Sequence, residues 1–210
     1  VELGRALAPA DCGDADAVVV ATGAQVLRPH IPGAEAAHVY DAGAVREWFS
    51  GTLSAAQAQR WPTLLRLLGR HVMPRVQPWL RPAQVRAASR HFLPLGQRVC
   101  VIGSDLPPVE LADFIAHRGR RVSLLAEEQC FAADVGPKRR HEQLSALDRL
   151  GVEVIGGVRF TAIEPGAVRF EYAGRAGSIP ADSVIIAGNP AADTAFADAL
   201  VGRAGEIHVI

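Results

Sequence analysis

The chain has 210 residues, 49% of them apolar, and its 22 basic and 22 acidic side chains give a formal charge of zero. That length and apolar content supply an ordinary hydrophobic core for one large or two small domains, and the neutral balance argues against a nucleic-acid partner. With no run of about 18 apolar residues and no charged-then-apolar leader, neither a membrane span nor a signal peptide is expected, and the expected location is cytoplasmic.

Residues 1 to 16 are rich in Ala and Asp and show no clear period. Ala17 to Ala21 then reads as a central strand that leaves through a tight turn at Thr22 and Gly23, where glycine permits close backbone approach. Arg28 to Gly33 carries two prolines and a glycine, which reads as an extended connector, and Asp41 to Phe49 reads as a short helix. Leu53 to Leu95 has a separate composition. It contains no Asp or Glu, while Arg60, Arg66, Arg70, Arg75, Arg81, Arg86 and Arg90 recur among apolar residues. This is a basic amphipathic insertion that Pro62, Pro74, Pro78 and Pro82 divide into two or three short helices. Its arginines are either solvated on an excursion that packs elsewhere, or they meet an acidic partner or anionic surface with Trp61 and Trp79 at the contact.

Arg98 to Glu128 organises the chain. The β-branched run Val99 to Ile102 leads into Gly103, then into a segment with helical apolar spacing that Gly119 closes, then into a second strand from Val122 to Ala126. Strand, helix, strand at this length is a dinucleotide-binding type of unit. Its glycine fingerprint is incomplete, because Asp105 stands at the second glycine position and Pro108 at the third. Asp105 is expected to cap the helix with its own carboxylate, which satisfies amides that would otherwise hold phosphate. NAD(P)H binding by this chain is therefore in doubt.

Cys130 to Pro137 reads as a loop and Lys138 to Leu150 as a helix whose opening cations form a solvated edge or an anion site. Strands follow at Val152 to Ile155, Val158 to Ile163 and Val168 to Tyr172, the middle ones forming an antiparallel meander, with Gly174 and Pro180 as separators. Ser183 to Ala187 has the unbroken apolar character of a central strand and delivers Gly188 and Asn189 to its carboxyl end. Cys12, Cys100 and Cys130 fit no disulfide framework, zinc knuckle or iron–sulfur ligand set, and are read as thiols, Cys100 in the core. The chain opens on Val1 and its only methionine is Met73, which reads as a piece of something longer.

The ordered set VVVATG, VCVIG with its helix, LDRLGVEVIGG, IPADSVIIAGNPAADTAFADAL and EIHVI resembles the pyridine-nucleotide half of two-dinucleotide flavoproteins. Within them it looks most like the 2,4-dienoyl-CoA reductase and trimethylamine dehydrogenase group of NADH:flavin oxidoreductases. The resemblance implies an α/β fold: a Rossmann-like nucleotide-binding domain, with a βαβ sheet plus antiparallel β-meander, joined to part of a split FAD-type domain and a helical insertion. Residues 1 to 50 would be the partial FAD-type domain, 51 to 96 the insertion, 97 to 190 the NAD(P)-binding-like domain, and 191 to 210 the return.

By the same resemblance, FAD, FMN and an iron–sulfur cluster belong to the full-length parent, whose flavin barrel and remaining FAD-type domain are this chain's partners. The chain alone would be inactive and would hold no catalytic or metal-ligating residue. Matched positions place Ala21, Thr22 and Gly23 near the flavin-side nucleotide, and Gly103, Ser104, Asp105 and Leu106 under a dinucleotide pyrophosphate. Gly188 and Asn189 would lie at the domain junction. Ala126 takes the position that reads the adenosine ribose, with Glu127 next, and a carboxylate there disfavours the 2′-phosphate of NADP. Two function classes follow: the electron-entry region of a flavin-dependent reductase acting on enoyl-CoA-like or other enoate substrates, or a non-catalytic scaffold that has lost its nucleotide.

Overall fold

The computed structural model describes residues 3–12, 15–26, 29–41, 67, 71, 72, 75, 93, 95–188 and 190–210. The expected helices of the basic insertion lie almost wholly outside them, as do residues 42 to 49 of the expected short helix. In chain order the described strands are β1 (Ala17–Val20), β2 (Ala24–Val26), β3 (Val39–Asp41), β4 (Arg98–Ile102), β5 (Arg121–Leu125), β6 (Glu153–Ile155), β7 (Arg159–Glu164), β8 (Gly166–Tyr172), β9 (Arg175–Ala181), β10 (Ser183–Ile186), β11 (Pro190–Ala192) and β12 (Glu206–Val209). The helices are α1 (Leu106–Ala116), α2 (Pro137–Arg149) and α3 (Ala195–Leu200), with a 3-10 turn at Pro9–Cys12. The chain divides into two compact units, Val1–Leu27 with Pro190–Ile210, and Arg28–Asn189.

The larger unit is built on a parallel sheet of order β3-β10-β4-β5-β6. Both faces of its central strands β4 and β10 are covered, which is why these two read as unbroken apolar runs rather than as alternation. Val99 and Val101 face one cluster with Val109, Ile115 and Leu147 from the helices. Their neighbours Cys100 and Ile102 face a second cluster with Ile163, Val168, Phe170 and Ile179 from the antiparallel sheet β7-β8-β9. The result is three layers: helices, parallel sheet, meander. Glu110 of α1 and Arg139 of α2 form an ion pair at 2.9 Å, so one cation of the basic cluster that opens α2 is spent on its neighbour helix.

Three expectations change here. The segment with Gly174 and Pro180 is a strand, β9, which adds a third member to the meander. Proline is compatible with that position because β9 bonds to β8 alone in its sheet, leaving one edge unpaired. Asp41 ends strand β3 instead of opening a helix. Because β3 pairs with β10, residues 29 to 41 belong with the larger unit, although the expected boundary put them with the N-terminal segment. The connector locks there through its own backbone. Ile163 donates its N–H to Pro32 O at 2.7 Å, and Ile31 and Ala34 are buried in the meander cluster.

In the smaller unit β1 pairs in parallel with β12, from Ala17 opposite Glu206 to Val20 opposite Val209, and β2 pairs antiparallel with β11. Val20, Ala197 and Leu200 make its small core. Among the described residues β1 pairs with β12 alone, and Val19 is 61% exposed.

Candidate functional site

Strands β4 and β10 lie side by side and end together. Ala187 donates its N–H to Ile102 O at 2.8 Å, and Gly103 donates to Leu125 O at 2.9 Å. Gly103, at φ +143°, passes so close to β10 that a β-carbon there would stand 1.7 Å from Ala187 O. Gly188, at φ +101°, comes back over the same spot: its β-carbon position lies 3.3 Å from Pro108 Cγ, 3.4 Å from Asp105 Oδ2 and 3.5 Å from Gly103 Cα. The fold thus gathers Gly103, Asp105, Pro108 and Gly188 into one corner at the carboxyl end of the parallel sheet, the edge at which open α/β sheets bind ligands.

From this corner α1 starts. Its N-terminus would attract an anion through N–H groups that have no partner within the helix. Few remain. Pro107 and Pro108, in its first turn, have no N–H to offer. Leu106 has one, and it donates to the carboxylate of Asp134, at 3.1 Å to Oδ1 and 3.4 Å to Oδ2. Asp105 occupies the cap position with extended backbone, yet its side chain makes no capping bond. The expectation that Asp105 caps the helix is therefore corrected, and the carboxylate that does so comes from the loop after β5.

That loop is pinned against the corner. Ala132, buried at φ +48°, donates its N–H to Ser104 O at 2.6 Å, and Phe131 beside it is buried in the helix-side core. Ser104 is itself buried, 5% exposed. Ala126, at the end of β5, is buried, and both of its backbone groups are committed, its N–H to Ile155 O and its carbonyl to the N–H of Val158, each at 3.1 Å. Glu127 next to it is exposed. Sequence reasoning missed Asp134 and Ala132. No spacing points to either, whereas the two consecutive prolines were a visible sign of the missing donors.

Ala21, Thr22 and Gly23 belong to the smaller unit, where the Thr22 hydroxyl donates to Asp193 O at 2.9 Å and Asp193 donates its N–H to Gly23 O at 3.1 Å. Those bonds tie the turn to the returning chain. Asn189 lies outside the described residues.

At the opposite edge of the parallel sheet, where β4, β5 and β6 begin, an open pocket of about 440 Å³ is lined by Arg98, Arg120, Arg121, Ser123 and Glu153 among others. Arg98 is occupied there by Asp182, whose carboxylate also accepts the Arg98 N–H at 2.9 Å. Hydrogen bonding from the guanidinium and the backbone holds the Asp182 carboxyl down at about 2. Cys12, Cys100 and Cys130 are all free thiols, and Cys100, fully buried, is pushed up to about 12 by desolvation and then by the charge of Glu153. Among the described residues no group of three or more metal-ligating side chains comes together, and no helix is long and apolar enough to cross a membrane.

Residues 10–209 match the family described as pyridine nucleotide-disulphide oxidoreductase. The chain belongs to this family. Its α/β architecture is the fold of family neighbours. Among solved structures it is similar to a 2-naphthoyl-CoA reductase complex, with TM-score 0.64 and 20% identity over 100% of this chain and 26% of that one. It is also similar to histamine dehydrogenase from Rhizobium sp. 4-9, with TM-score 0.62 and 17% identity over 98% of this chain and 27% of that one. A curated relative, the bilirubin reductase of Mediterraneibacter gnavus (strain CC55_001C), is 26% identical over 172 residues, which is 82% of this chain and 20% of that protein. The chain therefore spans about a quarter or less of the length of these relatives.

The family uses FAD and NAD(P)H, and the corner tests the second of these. A dinucleotide pyrophosphate needs free backbone donors and a close, uncharged approach. Here Asp105 stands at the corner, prolines remove two donors and Asp134 holds a third. These residues do not fit the group as they stand.

Proposed function

We propose that the chain is the nucleotide-binding-type region of a larger flavin-dependent oxidoreductase, whose remainder carries the chemistry on an enoyl-CoA-like or other enoate substrate. The observation that carries this reading is the glycine corner at the carboxyl ends of β4 and β10, where Gly103 admits Ala187 O and Gly188 returns over Gly103. Gly103 leaves no space for a β-carbon beside Ala187 O, and Gly188 adopts φ +101°, a conformation that L side chains rarely take. The thioester substrate class draws its support from the 2-naphthoyl-CoA reductase likeness, which is one of fold.

The smaller unit supports the partner side of the reading. A parallel pair such as β1–β12 is ordinarily covered on both faces, yet Val19 and Val209 are 61% and 47% exposed. The remainder of a parent chain, with a flavin barrel and the rest of an FAD-type domain, supplies that cover. The test is to express the full-length parent and assay flavin content together with reduction of 2-enoyl-CoA thioesters by a chemical electron donor such as dithionite. Bound flavin and enoyl reduction are expected. A parent with no flavin, or one that reduces no enoate, overturns the reading.

A second reading has its own observation. The sealed N-terminus of α1 favours a scaffold or interaction module in which the nucleotide-type unit is retained as architecture alone. It predicts a parent whose reduction of enoates does not depend on NADH or NADPH.

A further inference from the structure

The helix that should receive a dinucleotide phosphate already has an anion bound to it, and that anion is part of the chain. We propose that Asp134 is an internal substitute for the pyrophosphate, so that the loop between β5 and α2 seals the nucleotide corner of the larger unit. This rests on the reading of that unit as a nucleotide-type fold. It adds which residue closes the site and how.

Three features converge on the same place. The Leu106 N–H, the one donor left among the first three residues of α1, is shared between the two carboxylate oxygens of Asp134. Ala132 fixes the approach of the loop, since its N–H donates to Ser104 O immediately ahead of the helix. Phe131 and Ala132 are buried in the helix-side core, which anchors the loop from below while Asp134 itself stays exposed. A phosphate oxygen seeking Leu106 must displace a tethered carboxylate of like charge. The tether gives the internal group a high effective concentration.

The experiment titrates NADH and NADPH into the 210-residue chain and into Asp134→Ala and Asp134→Asn, by calorimetry and by the NMR shift of the Leu106 amide. The wild-type chain is expected to bind no tighter than about 1 mM. Asp134→Ala should bind about tenfold tighter or better, the scale of one charge-assisted hydrogen bond exchanged, with the Leu106 amide shifting on addition. Asp134→Asn should gain less, because its amide oxygen still accepts from Leu106. Both substitutions fall on an exposed side chain, and a single cooperative thermal transition, lowered by no more than the loss of one helix cap, verifies that each variant is folded. Low-micromolar binding by the wild-type chain overturns the seal and leaves the nucleotide-binding reading standing. Variants that bind more weakly than wild type, or no better, overturn the seal as well. If no form binds even at millimolar nucleotide, the nucleotide-binding reading of this unit falls with it.

Discussion

The carbonyl oxygen of Ala187 stands 1.7 Å from the position of a β-carbon on Gly103, so the backbone just after strand β10 occupies the space that any side chain at residue 103 would need. Gly103 also adopts φ +143°, outside the range that L side chains favour. The clash is with backbone, which cannot rotate aside.

Gly103→Ala is accordingly expected to destabilise the larger unit by roughly 2–4 kcal/mol, the combined scale of backbone strain and overpacking. Gly188→Ala should cost less, since its nearest neighbour, Pro108 Cγ, is 3.3 Å away. Urea unfolding of both variants checks the order. Equal midpoints for wild type and Gly103→Ala would show that the two strand ends separate more easily than their register implies.

Arg98 and Asp182 set an acid limit on stability. The folded Asp182 carboxyl lies at about 2, below its ordinary 3.8, so it contributes stability above about pH 4 that is lost as the pH falls toward 2. Asp182→Asn should lower the melting temperature at neutral pH, and the gap from wild type should close through that acid window. A gap that stays constant from pH 7 to pH 2 would remove Asp182 from the acid transition.

The three thiols should separate by accessibility. Cys130 is exposed, Cys12 half-buried and Cys100 fully buried, with its thiol pushed up to about 12. A thiol reagent at pH 8 should label Cys130 first and leave Cys100 untouched until the chain unfolds, because the thiolate is the reactive form. Labelling of Cys100 in the native protein, read by peptide mass spectrometry, would contradict its placement between β10 and β5.

Ile115 of α1 and Leu147 of α2 are fully buried between the helices and the parallel sheet. Truncation of either to Ala should cost roughly 2–5 kcal/mol through lost burial and the cavity left behind. Val154→Ala on β6, whose valine is 37% exposed, should cost well under half as much. Chemical denaturation of the three variants ranks them.

The parallel sheet, α1 and α2 were legible from the residues because a sheet covered on both faces forces unbroken runs such as Val99–Ile102 and Ser183–Ile186, and because Leu144, Leu147 and Leu150 keep helical spacing. The prolines in the first turn of α1 and the incomplete glycine fingerprint were equally plain. These are local facts: a residue type at a position already excludes an N–H, or demands one backbone conformation.

What closes the corner was decided by tertiary structure. Asp134 meets Leu106 across 28 residues, and nothing in its neighbours Ala133 and Val135 marks it as a cap. Asp105, adjacent to the helix in sequence, had the better local claim and does not make the bond. The same holds for β3, three residues long, whose strand character depends on the open edge of β10, and for β9, where Pro180 is tolerated because its sheet leaves that strand one unpaired edge. Periodicity records which faces are buried. Which distant carboxylate reaches an amide, and which strand has an edge to spare, depend on how the layers pack, and the 210 residues express that only once they are folded.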